Sequence, residues 1–239
     1  MPDEGGVRPL AVAAVLFDLD GTLADSAPDL AHALNEVRAR RGLPPVAVES
    51  LRAHASSGAR GLLGAGMGVT PADAEFTALR DEFLQCYERG LARTTTLFPG
   101  VPALLDAIEA RGLAWGIVTN KHARFTSGVV AALALSPRAG VVVSGDTTPH
   151  AKPHPAPLLH AAAALGVAPE ACVYVGDDLR DVEAGRAAGM ATIVAGYGYM
   201  GQGSDPRQWP ATGWIDRPLQ LLEWLPEATS AKGARSFGG

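Results

Sequence analysis

Cysteines and aromatic side chains are scarce in this chain of 239 residues, and it has no long apolar run and no basic cluster. Only two cysteines occur, Cys86 and Cys172, far apart and in unrelated surroundings. That excludes a disulfide framework and offers no zinc-ligand spacing, so both are expected to act as buried small hydrophobes. Aromatics make up 6% and hydrophobic residues 47%, which leaves Ala, Val, Leu and Gly to do most of the packing. No stretch approaches the roughly 20 apolar residues that a membrane span requires. The start, Met1-Pro2-Asp3-Glu4-Gly5-Gly6, lacks the basic segment and apolar run of a secretory signal. The expectation is a cytoplasmic protein with no membrane partner. With 25 acids against 20 bases the net charge is −5, and nucleic acid is not an expected partner. The length allows one large domain, or a core with a smaller insertion.

Short apolar, β-rich runs recur at Ala11–Phe17, Ala114–Val118, Gly140–Val143, Cys172–Val175 and Ala191–Val194. Helical patterns lie between the later ones, at Val101–Arg111, Arg124–Ala134, Ala156–Leu165 and Asp181–Ala188. This alternation predicts an α/β fold built on a doubly wound parallel sheet. The interval from about Ser26 to Leu97 breaks the rhythm. It carries helical patterns at Pro28–Arg41, Val48–Ala55, Ala59–Gly66 and Pro71–Arg89, with Thr70 and Asp73 as a helix entry, and no convincing strand. An all-helical insertion behind the first strand reads as a cap over that strand's carboxyl end. The expected division is a catalytic core of residues 1–24 and 97–226, a helical cap of residues 25–96, and a disordered tail of residues 227–239. Trp209, Trp214 and Trp224 fall in a loop-rich region expected to cover the far edge of the sheet.

The chemistry-bearing residues cluster where strands end. Phe17-Asp18-Leu19-Asp20-Gly21-Thr22 sets two carboxylates two residues apart where an apolar run meets a glycine turn. In open α/β sheets the carboxyl ends of strands are where ligands sit, and burying two acids there is costly unless a cation offsets them. Val118-Thr119-Asn120-Lys121 offers a hydroxyl and backbone N–H groups suited to phosphate. Lys152, in Ala151-Lys152-Pro153-His154-Pro155, is restrained by its prolines and suits fixed neutralisation of a carboxylate or phosphate. Gly176-Asp177-Asp178-Leu179-Arg180-Asp181 puts three acids just past another strand, an arrangement a hard oxygen-seeking cation would tolerate.

Taken together, Asp18-Leu19-Asp20-Gly21-Thr22, Thr119, Lys152, and Gly176-Asp177-Asp178 with Asp181 resemble the motifs of haloacid-dehalogenase superfamily phosphatases. The resemblance runs from Ala11 to about Leu225 and places the helical block where that superfamily carries a cap. Within the superfamily the chain looks like the phosphoglycolate phosphatase group. Ser57-Gly58-Ala59-Arg60, Val118-Thr119-Asn120-Lys121 and Tyr197-Gly198-Tyr199 resemble, more narrowly, bacterial N-acetylmuramic acid 6-phosphate phosphatases. The resemblance implies Mg²⁺ as cofactor and a small phosphomonoester as partner, in a monomer or homodimer. It implies Asp18 as nucleophile, Asp20 as general acid and base, and Thr119 and Lys152 as catalytic groups. Gly21, Thr22, Asn120 and Arg60 would bind substrate or phosphate, with Arg60 reaching from the cap. Asp18, Asp20, Asp177, Asp178 and Asp181 would form the metal site, with the division between Asp178 and Asp181 open. A sugar phosphomutase of the same superfamily and a non-enzymatic phospho-accepting receiver are the alternatives.

Overall fold

A computed structural model describes residues 9–201 and 203–227. Of the tail expected to be disordered over residues 227–239, residues 228–239 lie outside the described residues. In chain order the elements are β1 (Ala14–Phe17), β2 (Ala24–Asp25), α1 (Ala27–Ala39), α2 (Val48–Ala55), α3 (Gly58–Met67), α4 (Phe76–Arg89) and β3 (Thr96–Leu97). There follow α5 (Val101–Ala110), β4 (Ala114–Val118), α6 (Ala123–Ala132), β5 (Val141–Val143) and α7 (Ala156–Leu165). The last are β6 (Cys172–Gly176), α8 (Leu179–Ala187), β7 (Ala191–Ala195) and β8 (Gly213–Ile215).

Six strands form one parallel sheet in the order β5-β4-β1-β6-β7-β8, a doubly wound α/β architecture. Its central strands are buried on both sides, which explains their continuous apolar reading. Val15 and Phe17 point into a cluster with Leu104, Leu105 and Ile108 of α5. Ala14 and Leu16 pack on the opposite face with Leu158 of α7 and Ala184 of α8. Full burial of a side chain such as Phe17, with no exposed area, contributes about 2 kcal/mol. The register sets Phe17 beside both Ile117 and Val175, so the chain leaves β1, β4 and β6 at nearly one level. Whatever follows those strands is therefore brought together.

The four helices between β2 and β3 pack around a cluster of their own that includes Leu34, Val37, Leu51, Leu63 and Phe83. The two segments leading into and out of this block pair as the antiparallel strands β2 and β3. Buried Asp29, in the first turn of α1, accepts from the backbone N–H and hydroxyl of both Thr94 and Thr95. One carboxylate thus fastens the outgoing connection to the incoming one. Thr70 and Asp73 do not begin a helix. The Asp73 carboxylate takes both donors of Thr70 at 2.7 and 2.9 Å and closes a turn, and α4 starts only at Phe76. Gly213–Ile215, which sequence alone left as loop, is the edge strand of the sheet; three residues are too few for a period to show. Among the described residues no helix is long and apolar enough to cross a membrane. Cys86 and Cys172 are both free and buried.

Candidate active site

Asp18 follows β1 directly, its backbone N–H donating to the Val175 carbonyl of β6 at 2.9 Å. The hydrogen bond fixes the carboxylate at the sheet's carboxyl edge. Asp177 follows β6 and lies beneath it, 1% exposed. Thr22 Oγ1 donates to one oxygen of Asp177 and the Tyr199 backbone N–H to the other, each at 2.9 Å. Asp181 sits in the first turn of α8, likewise buried. Ligand oxygens of Asp18, Asp177 and Asp181 lie within 4.8 Å of one another.

This acid cluster is held by Lys152. Its Nζ lies 2.9 Å from Asp18 Oδ1 and 2.7 Å from Asp181 Oδ1, and donates also to Tyr174 Oη and the Val118 carbonyl. The peptide joining Lys152 to Pro153 is cis. Asn120 anchors the loop: its side chain donates to the Lys152 carbonyl and accepts from the Lys152 N–H, both at 2.9 Å. Thr119, at the end of β4, is buried and its hydroxyl accepts from the Lys121 N–H. Burial pushes Asp18 up to about 6 even against the pull of Lys152, with Asp181 adding to the rise. Burial also pushes Asp177 well above the usual carboxylate range, with Asp18 and Asp181 as further causes.

The cluster suits a hard divalent cation. Asp18 Oδ1 is buried with the Lys152 ammonium as its partner, and a cation bound by the three acids would reverse the forces that hold them towards neutrality. Asp178 has a different place. It caps α8 through the Arg180 N–H at 3.0 Å and pairs with the Arg180 guanidinium, which holds its carboxyl below the usual range against the effect of burial. Asp181 accepts from the Asp178 N–H in return, so the two complete a capping box.

Asp20 points to the other side of Asp18's turn. Lys121 Nζ donates to its two oxygens at 2.9 and 3.0 Å, and Ser26 Oγ donates as well. Gly21 has φ +89°, and a Cβ there would overlap the Asp177 carboxylate, so the turn accepts only glycine. Gly21 and Thr22 thus support Asp177 and do not line the cavity above Asp18, as the sequence reading had expected of phosphate-binding groups. That cavity, about 340 Å³, lies between the sheet edge and the helical block, and its walls include Asp18, Asp20, Thr119, Asn120, Lys152 and Asp181. Arg60 is not brought to it. It is exposed on α3, beside His54 and Ser57 in a separate depression. The guanidinium that does reach the cavity from the sheet side is that of Arg180, which donates to the Ser56 carbonyl of the helical block.

Residues 12–189 match the family of haloacid dehalogenase-like hydrolases. The chain belongs to that family. It is 40% identical over 222 residues to an N-acetylmuramic acid 6-phosphate phosphatase of Pseudomonas aeruginosa, spanning 93% of this chain and 98% of the relative. It is 45% identical over 215 residues to a phosphoglycolate phosphatase of Xanthomonas campestris, spanning 90% and 96%. A crystal structure of a predicted phosphoglycolate phosphatase from Haemophilus somnus superimposes with a TM-score of 0.78 at 27% identity, over 89% of this chain and 97% of that one. Family and relatives together make this haloacid dehalogenase-like hydrolase a phosphatase.

Sequence reasoning missed Lys121 as the partner of Asp20, Arg180 as the link to the helical block, and Tyr199. The Tyr199 hydroxyl accepts from the N–H groups of Ser26 and Ala27 and donates to Asp25. Lys121 and Tyr199 stood inside quoted motifs, but their partners are 101 and 173 residues away, which no local pattern reports.

Proposed function

We propose that this phosphatase is a Mg²⁺-dependent phosphomonoester hydrolase that works through an aspartyl-phosphate on Asp18, with a small phosphorylated metabolite as substrate. The observation that supports it best is Asp18, which lines the cavity at a strand end with its buried Oδ1 held only by the Lys152 ammonium, 2.9 Å away. In the first step that carboxylate attacks phosphorus in line. The P–O bond to the alcohol breaks, and Asp20 protonates the departing oxygen. In the second step Asp20 takes a proton from water, which attacks phosphorus, releases phosphate and restores Asp18.

Lys152 orients Asp18 and neutralises the approaching phosphate, while Thr119 and the N–H of Asn120 hold phosphate oxygens. Lys121 keeps Asp20 aimed across the cavity. Asp18, Asp177 and Asp181 would hold the metal, joined by the Asp20 carbonyl, and Asp178 orders α8 beneath them. When bound, the cation offsets the repulsion between carboxylate and phosphate and stabilises charge on the transferring group. Residues 25–96 act as a cap that admits substrate when open and excludes water when closed. The test is phosphate release from 2-phosphoglycolate and N-acetylmuramic acid 6-phosphate, with Mg²⁺ or with EDTA, by the natural protein and by Asp18→Asn. Metal-dependent release that Asp18→Asn abolishes supports the reading; turnover that survives Asp18→Asn overturns it.

A further inference from the structure

Among the described residues, three buried side-chain polar atoms stand out: Asp18 Oδ1, which has only the Lys152 ammonium, and Ser56 Oγ and Tyr87 Oη, which have no hydrogen-bond partner within 3.5 Å. All three residues line the cavity above the sheet edge. Asp18 is accounted for by the phosphoryl transfer. Ser56, just after α2, and Tyr87, on α4, are not, and both belong to the helical block. Buried polar groups in folded proteins are nearly always paired, so two bare hydroxyls on one wall point to groups that a ligand brings. Neighbouring residues fix their positions. The Ser56 carbonyl is held by Arg180, and the Tyr87 ring packs edge-on against Phe125 at 5.3 Å. Lys121 lies 4.8 Å from the Tyr87 ring centroid and its ammonium also faces the Tyr87 hydroxyl, while its hydrogen bonds of 2.9 and 3.0 Å go to Asp20.

We propose that Tyr87 and Ser56 are specificity-determining residues, whose hydroxyls hydrogen-bond the neutral hydroxyl or amide groups of a pyranose-sized leaving group. The inference rests on the phosphatase reading above and names the alcohol that reading leaves open. Two further observations support it. The cations near Asp18 are already committed, Lys152 to Asp18 and Asp181, Lys121 to Asp20 and Arg180 to Asp178. A glycolate carboxylate, one methylene from the ester oxygen, would find no free partner among them. The remaining wall is largely apolar, with Leu30, Phe83, Leu84 and Phe125, and its two other basic side chains have acidic neighbours, Arg80 beside Asp81 and His122 beside Asp146. It suits the C–H face of a sugar ring or an acyl substituent, and a cavity of about 340 Å³ would stay largely unfilled by two carbons.

The test compares kcat/KM for glucose 6-phosphate, N-acetylmuramic acid 6-phosphate, 2-phosphoglycolate and p-nitrophenyl phosphate. The proteins are the natural chain, Tyr87→Phe, Ser56→Ala and Asp18→Asn. The natural protein should prefer a sugar 6-phosphate to 2-phosphoglycolate by about tenfold or more, and each hydroxyl deletion should cut that ratio by about 3- to 10-fold, chiefly through KM. Tyr87→Phe keeps the ring and its packing, so an unchanged melting temperature separates lost recognition from lost folding. A natural protein that prefers 2-phosphoglycolate overturns the inference, as does a sugar preference undiminished in both variants. Asp18-dependent release from p-nitrophenyl phosphate with no sugar preference overturns the inference and leaves the phosphatase reading standing. No Asp18-dependent release from any of the four overturns both.

Discussion

Lys152 is the residue on which most of the buried charge depends, because one ammonium faces Asp18 and Asp181 while Asp177 lies in the same cluster. Lys152→Ala is expected to lower kcat by about 10²-fold or more, the range seen when a preorganised charge partner is removed. It should also destabilise the protein by about 3–5 kcal/mol, since it leaves buried carboxylates unpaired. Steady-state kinetics and a denaturant melt read the two effects separately; wild-type-like values in both would show that the cluster does not need its lysine. At this scale the sequence was informative where a residue follows a strand in a short motif. Asp18, Thr119, Asp177 and Asp181 could be placed at one edge that way. It was uninformative where position depends on a helix's orientation. The glycines around Arg60 allow close approach to a ligand, but they do not say which side of α3 the side chain leaves, and it leaves to solvent.

Among the elements, the connections between sheet and helical block are built more tightly than their polar sequence indicates. Asp29 ties Thr94 and Thr95 to α1, Tyr199 ties the start of α1 to the chain after β7, and Arg52 makes a two-pronged pair with Asp25 at 2.7 and 2.9 Å. Asp29→Ala strands the donors of both threonines and should cost about 3 kcal/mol, or roughly 6–12 °C in melting temperature for a chain of this size. A scanning melt that shows less than a degree of change would mean that the clasp is replaceable by water. The parallel strands were legible because sheet burial on both faces leaves an unbroken apolar run. The short elements β2, β3 and β8 were not, since two or three residues held by partners far along the chain carry no period of their own.

For the whole molecule, the buried acids of the active site are a standing penalty on the fold, which a cation bound among them would relieve. Mg²⁺ at about 100 times its dissociation constant should stabilise the protein by about 2.7 kcal/mol, and EDTA should return the melting temperature to its metal-free value. In Asp177→Ala the Mg²⁺-induced shift should shrink or vanish; a shift equal to that of the natural protein would place the cation elsewhere. In the proposed reaction the labour is divided: the sheet edge supplies the phosphoryl chemistry, and the helical block supplies the wall that meets the alcohol. Covalent transfer to Asp18 is the step on which the proposed reaction depends. With p-nitrophenyl phosphate, whose leaving group departs without a proton, Asp20→Asn keeps the first step but lacks the base for hydrolysis and should accumulate the intermediate, so the decisive measurement is peptide mass spectrometry of that variant, quenched in acid during turnover. A phosphoryl group on the peptide containing Asp18, absent when Asp18 is also changed to Asn, is the predicted result. Phosphate release at an undiminished rate with no phosphoryl group on that peptide would contradict it.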